Sequence, residues 1–202
     1  MARAGPRSFG RQVIAGAAEA AKALGLRTVR IGPADELPTD HAPSGWDAFC
    51  AGSFEEDVAR VTAARALAQQ PRVIGAVAAG VRDFGREVTS AEGVYGIAQW
   101  FPGGRTTIEL GPTEEDFLQA YSALTGAVPD YPAVQAAATA VLATHCARTA
   151  GTVARESLWP TAAALQTTTM FGAFRIDPAS GAQLGHQTAL VRWTANGPRV
   201  MS

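Results

Sequence analysis

Two short apolar runs with strand-like composition, residues 73–79 and 94–99, constrain the fold more than any other feature of this chain. The first run ends in Ala79 and Gly80. A buried run that ends at a glycine is typical of a parallel strand that leads into a loop, and such loops bind ligands in open α/β sheets. The pair therefore predicts a parallel sheet with a binding edge where these runs end.

Helix-like and strand-like segments alternate ahead of this pair. An apolar stripe at three- and four-residue spacing predicts a helix over residues 8–24. The β-branched run 28–31 and the apolar run 46–51 predict strands. Ser53 and Glu56 have the spacing of a capping box, which predicts a helix that begins there. Because such alternation is typical of α/β proteins, we expect a parallel sheet flanked by helices.

Helical patterns dominate the chain after residue 112. Capping residues and apolar stripes predict three helices in the segment 113–165, although Pro160 interrupts the last of them. Two strand-like runs, 172–176 and 188–193, flank a turn-rich loop and predict a C-terminal antiparallel hairpin. The sequence thus suggests an α/β lobe over 1–112, a helical segment over 113–165 and a C-terminal part over 166–202.

Charge and hydropathy exclude several kinds of partner. The chain has 202 residues, of which 47% are hydrophobic, and these supply a core for one domain or two small lobes. The net charge is −1 and Lys and Arg nowhere cluster, which argues against nucleic acid or anionic lipid as the main partner. No apolar run approaches the length of a membrane span, and the basic start lacks the apolar core of a signal peptide.

The sequence contains no catalytic motif. His41, His145 and His186 stand apart from any nucleophile motif, and the zinc-binding pattern HExxH is missing. The spacing of the glycines does not match a phosphate-binding loop. Cys50 and Cys146 lie in apolar runs, where they are either buried free thiols or one disulfide. We therefore expect a non-enzymatic protein without a metal or another cofactor.

Residues at the ends of the predicted strands suggest a binding site instead. Ser53 lies at a helix N-terminus, where backbone N–H groups suit an anion, although an ordinary cap needs the same residue. Gly80 lets a ligand approach the backbone, unless it only forms a turn. The carboxylate of Asp83 either binds the charged group of a zwitterionic ligand or is a solvated charge in a loop. Tyr131 covers a ligand or packs against its surroundings.

Several segments, in the same order along nearly the whole chain, carry a resemblance to a known family. They comprise Phe9-Gly10 with the alanine-rich helix after it, AEGV at 91–94 with QWFP at 99–102, FLQAY at 117–121, PDYPAVQA at 129–136, and FGAFRIDP at 171–178 with LVRW at 190–193. In these segments the chain resembles the substrate-binding proteins of branched-chain amino-acid type ABC transporters, which have the type I periplasmic-binding fold.

The resemblance implies a fold of two α/β lobes that hold a small solute, of which this chain has the later part. Residues 1–112 would form the second lobe, and 113–165 would supply helices of an incomplete first lobe. Family members often have an acidic residue near position 79, where this chain has alanine and only Asp83 close by. By position, the resemblance implies ligand contacts at Phe9, Ser53, Phe54, Ala79, Gly80 and Tyr131.

The function implied by the resemblance is binding of an amino acid, or a related small organic acid or amide, for ABC-type uptake. The partner would be an ABC permease, and the chain would be a truncated or diverged member that binds weakly or not at all by itself. It would act outside the cytoplasm if the full-length gene encodes a signal peptide, and in the cytoplasm as the sequence stands. Exposed first-lobe helices would also allow a homodimer. The alternative is a ligand-sensing regulatory module that acts on a protein partner.

Overall fold

The computed structural model describes residues 8–32, 37, 45–103 and 107–201. His41 and most of the predicted loop 32–45 lie outside the described residues. The chain divides into two compact units, unit 1 with Met1–Ile97 and Leu190–Ser202, and unit 2 with Ala98–Ala189. The division into parts at residues 112 and 165 concerns the lobes of the family fold and stays a prediction.

Helices and strands follow one another in a mixed α/β order. In chain order the elements are α1 (Ser8–Ala23), β1 (Ala48–Cys50), α2 (Phe54–Ala66), β2 (Ile74–Ala76), a 3₁₀ turn (Ala78–Gly80), α3 (Phe84–Glu87), β3 (Tyr95–Ala98), α4 (Glu114–Thr125), α5 (Tyr131–Ala150), α6 (Arg155–Ala164), β4 (Thr167–Thr169), β5 (Gly172–Phe174), β6 (Ala189–Thr194) and β7 (Gly197–Val200). Within the described residues, no helix is long and apolar enough to cross a bilayer.

Unit 1 is built on a five-stranded sheet with the order β1-β2-β3-β6-β7. The strands β1, β2 and β3 run parallel, and β6 pairs with β7 in antiparallel orientation. This arrangement confirms the prediction of an α/β fold with a parallel sheet. It also places the ends of β1 and β2 at one edge, because the carboxyl ends of parallel strands point the same way.

The core of unit 1 lies between the sheet and the helices α2 and α3. Val61 from α2, Ile74 from β2 and Phe84 from α3 are almost fully buried in one cluster with Trp193 from β6. The rings of Phe84 and Trp193 lie 5.8 Å apart. Phe54 and Val58 pack against this cluster, so α2 buries one apolar face against the sheet.

The predicted strand at residues 28–31 is wrong. Residues 26–32 form no helix or strand in the structure, and Val29 is 82% exposed. A β-branched run gains little from an extended backbone unless a neighbouring strand supplies hydrogen bonds and a packed face. The helix ahead of it is confirmed, and Gly25 ends α1 with a φ of 72°.

The first of the two central runs ends earlier than expected, because strand β2 stops at Ala76. Ala78, Ala79 and Gly80 instead form a 3₁₀ turn, in which the Gly80 N–H donates to the carbonyl of Val77. The apolar residues here fill the core rather than extend a strand.

The C-terminal hairpin exists, but its strands differ from the predicted pair. Strand β5, within the run 172–176, pairs with β4, and the run 188–193 lies in β6, which pairs with β7. Only an isolated bridge between Ile176 and Gln183 closes the turn-rich loop. Local turn signals identified the strands but not their partners, because two hairpins with shorter connections form instead.

Unit 2 contains the three helices predicted from capping residues. Thr113 caps α4 by accepting from the N–H of Asp116, and Gly126 ends that helix in the left-handed region. Asp130 caps α5. Helix α6 continues through Pro160, so the proline does not end it.

Candidate functional site

Two loops meet at the carboxyl edge of the parallel strands of unit 1. The segment 51–53 follows β1, and the segment 77–80 follows β2. The Val77 N–H donates to the Cys50 carbonyl at 3.1 Å, which extends the ladder between the strands to their ends. Both loops therefore begin side by side, as the positions of Ser53 and Gly80 in the sequence predict.

The first turn of α1 lies against the loop after β1. A Cβ atom added to Gly10 would come within 2.5 Å of the Ala51 carbonyl oxygen, so only glycine permits this approach. Phe9, the residue before it, is 57% exposed at the same place. The structure thus brings Phe9 to the edge that also carries Ser53 and Phe54.

Ser53 is fully engaged as the cap of α2. Its hydroxyl accepts from the Glu56 N–H at 3.2 Å and donates to the Glu55 carboxylate at 2.8 Å. The Glu56 carboxylate in turn accepts from the Ser53 N–H at 2.9 Å. The capping box is confirmed, and three acidic residues stand in the first helical turn. Their charges already compensate the positive end of the helix dipole.

Asp57, which the sequence analysis did not single out, links the two loops. Its side chain is buried, and its oxygens accept from the Gly52 N–H at 2.7 Å and from the Ala78 N–H at 3.0 Å. Burial raises the pKa of the Asp57 carboxyl, and the N–H donors of Ala78 and Gly52 oppose this rise. The spacing of Asp57 with the buried Val61 and Ala64 was the available signal, because it places an acid on the apolar face of α2.

Trp193 supports the second loop from the strand β6. Its indole N–H donates to the Ala79 carbonyl oxygen at 2.8 Å in a buried contact. A Cβ atom on Gly96 would lie 2.4 Å from the Ala79 carbonyl carbon, so β3 also packs closely on this turn. The sequence predicted Trp193 as a strand residue but gave no sign of this contact, because the two residues are 114 positions apart.

The predicted ligand residues differ in how much surface they offer. Ala79 is completely buried, so Gly80 is the more accessible residue of this pair. Ser53 is exposed and Phe54 is half-buried. Asp83 is exposed and forms an ion pair with Arg86 at 2.8 Å. Tyr131 belongs to unit 2, where it is the half-buried first residue of α5 and its N–H donates to Asp130.

The thiols and histidines carry no reactive arrangement among the described residues. Cys50 and Cys146 are both free, so the alternative of a disulfide is wrong. Burial, together with the charge of Asp57, raises the pKa of Cys50 to about 11, which keeps the thiol protonated. His186 stacks on Phe171 with ring centroids 4.4 Å apart. The described part of the chain holds no group of three His, Cys, Asp or Glu that suits a metal.

Two open surface grooves, of about 550 and 410 Å³, lie on described residues of unit 2. The larger groove runs between α4 and the segment after it, from Glu114 to Pro129. The smaller one is lined by residues that include Val141, His145 and Arg148. None of the predicted ligand residues lines either groove. The candidate site is therefore the loop edge of unit 1 rather than either of these two grooves.

Comparison with protein families gives a match over nearly the whole chain. A family model described as a periplasmic binding protein matches residues 4–198. No curated protein matches the chain.

Solved structures of this type share the fold at low sequence identity. A leucine binding protein from Thermotoga maritima superposes with a TM-score of 0.64 at 15% identity, over 79% of this chain and 44% of its own. A branched-chain amino acid transporter substrate binding protein from Streptococcus pneumoniae, solved with isoleucine, gives 0.52 at 20% identity, over 77% and 44%. A solute binding protein of an ABC transporter from R. palustris, solved with benzoate, gives 0.52 at 13% identity, over 74% and 46%. This chain thus spans less than half the length of each.

Proposed function

The chain belongs to the periplasmic binding protein family, and from this premise we propose that it binds a small organic solute at the loop edge of unit 1. The observation that supports the proposal is the convergence of three segments there: the first turn of α1, the loop after β1 and the 3₁₀ turn after β2. Carboxyl ends of parallel strands are where open α/β sheets bind ligands. The binding is non-enzymatic.

Within this edge we assign the ligand contacts to Phe9, Ser53, Phe54 and Gly80. Phe9 offers an exposed ring, and Phe54 a half-buried one. Ala79 is completely buried, so it supports the turn at Gly80 by packing in the core rather than by touching the ligand. Tyr131 remains a ligand contact predicted from the resemblance.

The acidic residues at the loop edge restrict which chemical groups of a ligand can lie beside α2. Glu55, Glu56 and Asp57 occupy the first turn of α2, so a carboxylate placed there would meet negative charge. A neutral or positively charged group fits better beside these acids. The negative charge of this turn therefore favours a solute that presents an apolar body or an amine to unit 1. Amino acids, small organic acids and amides all include such solutes.

The biological role we propose is ABC-type uptake outside the cytoplasm, with a permease as the partner. The leucine, isoleucine and benzoate named for the similar structures give the solute class of those proteins. For this chain the same solute class is the proposal. A second copy of the chain is a further proposed partner, through the helices of 113–165.

A solution NMR titration tests the binding proposal, because it detects weak binding as well as strong binding. The ¹⁵N-labelled chain is titrated with leucine, isoleucine and benzoate separately to millimolar concentration. We expect at least one of them to shift the amide signals of Phe9, Ser53 and Gly80 in a saturable manner. If all three leave these signals in place, the proposed solute class is wrong.

A matched pair of phenylalanine variants locates the site. Phe9→Ala removes the exposed ring at the loop edge, and Phe49→Ala removes another partly exposed ring, on the middle residue of β1. We expect Phe9→Ala to weaken binding by about tenfold or more, which corresponds to about 1.4 kcal/mol. Phe49→Ala should leave the affinity unchanged. Equal effects of the two variants would place the ligand elsewhere.

A further inference from the structure

The side chain of Asp57 joins both loops of the proposed site. One carboxylate oxygen accepts from Gly52 at 2.7 Å, and the other accepts from Ala78 at 3.0 Å. Because Asp57 belongs to α2, both loops are tied to the same helix. Ser53 and Gly80 lie within two residues of the bonded N–H groups.

We propose that Asp57 is a positioning residue, which fixes the spacing between the loop at Gly52–Ser53 and the turn at Ala78–Gly80. The effect of Asp57 on solute binding rests on the proposed function, while its effect on the two loops does not. Asp57 is 2% exposed and beneath the loops, so it acts through their backbones rather than by touching a solute.

The chemistry of a carboxylate suits this role better than that of any neutral side chain. A carboxylate has only acceptor oxygens, so it can receive both N–H groups at once. An asparagine of the same shape has one acceptor oxygen and an NH₂ group that would face one of the two donors. Hydrogen bonds to a charged acceptor are also stronger than those to a neutral acceptor.

The carboxylate can lose this role by taking up a proton. Burial raises its pKa, so protonation would occur above the usual aspartate range. Glu56 on the same helix raises the pKa as well. Cys50 on β1 faces the group and stays neutral, while Arg60 on α2 lies close enough to act on the same cluster. On the β2 side, the backbone N–H groups of Ala78 and Val77 face the carboxyl and lower its pKa.

The first test measures the amides of Gly52 and Ala78 in the full chain by NMR. In the unsubstituted protein we expect both amide proton signals to titrate with one common midpoint, above the pH range of an exposed aspartate. Absence of a shared titration would overturn the proposal. This measurement needs no variant, so it stays decisive even if substitutions at Asp57 prevent folding.

The second test compares Asp57→Asn with Asp47→Asn. Asp47 lies at the other end of β1 and pairs with the exposed Arg72, so its variant removes one charge without reaching the loops. In Asp57→Asn we expect the hydrogen-exchange protection of Gly52 or Ala78 to fall by about tenfold or more. Asp47→Asn should leave both values unchanged. Full protection of both amides in Asp57→Asn would contradict the proposal.

The third test separates this proposal from the proposed function. If leucine, isoleucine or benzoate binds the unsubstituted chain, Asp57→Asn should weaken that binding by about tenfold or more, while Asp47→Asn should not. An unchanged affinity would overturn the positioning role. If none of the three binds, the proposed function fails, and the two amide measurements still decide whether Asp57 joins the loops.

Discussion

Burial governs the chemistry of the titratable residues at the loop edge. The loss of water raises the pKa of both Cys50 and Asp57, and the charge of Asp57 raises the pKa of Cys50 further. A neutral thiol is a poor nucleophile, so Cys50 functions as a packing residue. The unusual group here is the Asp57 carboxylate, because an acid inside a core needs hydrogen-bond donors and finds them in two loops.

Thiol labelling should report the environment of Cys50. In a Cys146→Ser variant, we expect Cys50 to react slowly with an alkylating reagent at pH 8 and faster only as the pH approaches about 11. The folded pKa lies above the ordinary value of 9.0, so the stability contributed by the neutral thiol is fully present below pH 9.0 and is lost as the pH rises toward 11. Rapid labelling at pH 8 under native conditions would contradict this environment.

The contact between Trp193 and Ala79 should contribute measurably to stability. Trp193→Phe leaves the buried Ala79 carbonyl without its donor, and we expect the free energy of unfolding to fall by about 2 kcal/mol. Trp46→Phe is the matched control, because its indole N–H donates to Gln69 in an exposed contact and should contribute less than about 1 kcal/mol. Urea denaturation followed by circular dichroism compares the two, and equal losses would argue against a special role for Trp193.

At the scale of elements, capping residues predicted where α2 and α4 begin, while strand-like composition located most of the strands but not the partners of the last ones. A cap is a contact between residues three apart, so Ser53 and Thr113 fix the starts of α2 and α4 from local sequence. A strand needs a distant partner. The run 28–31 has strand-like residues but pairs with no strand among the described residues, and β5 pairs with β4 rather than β6.

Variants at position 53 should separate the two interpretations of Ser53. Ser53→Ala removes the cap of α2, and we expect the free energy of unfolding to fall by about 1 kcal/mol. Ser53→Thr keeps a hydroxyl at this position and should preserve most of the stability. If Ser53→Thr retains stability but weakens solute binding, the hydroxyl position matters to the ligand as well as to the helix. Equal destabilisation by both variants would show that the hydroxyl bond to Glu56 is not the stabilising contact.

At the scale of the whole molecule, the exposed apolar side chains stand out. The helical segment exposes Leu124 by 87%, and Val128 and Val153 are also largely exposed. Large exposed apolar side chains in the same segment favour association with another surface. The chain spans less than half the length of the similar solved proteins.

Self-association should depend on this segment and not on exposed apolar residues in general. We expect the unsubstituted chain to form dimers or larger species as its concentration rises, since burial of these side chains is favourable. Leu124→Glu should lower the measured mass toward that of the monomer, 20.9 kDa. Val29→Glu, at a position 82% exposed in unit 1, should not. Light scattering coupled to size-exclusion chromatography measures the mass, and a monomer at every concentration would rule out this association.

Sequence by itself determined the features that depend on neighbouring residues and on order along the chain. Local patterns predict the capping box at Ser53, the helix α1, and the parallel sheet inferred from alternating elements. The sequence also predicted that Phe9, Ser53, Phe54 and Gly80 contact the same ligand. What only the tertiary structure decided are the contacts between distant residues: the link from Asp57 to Ala78, the indole bond from Trp193 to Ala79, and the pairing of the last strands. Their physical reason is burial, because a group removed from water must take its hydrogen-bond partner from whatever the fold places beside it.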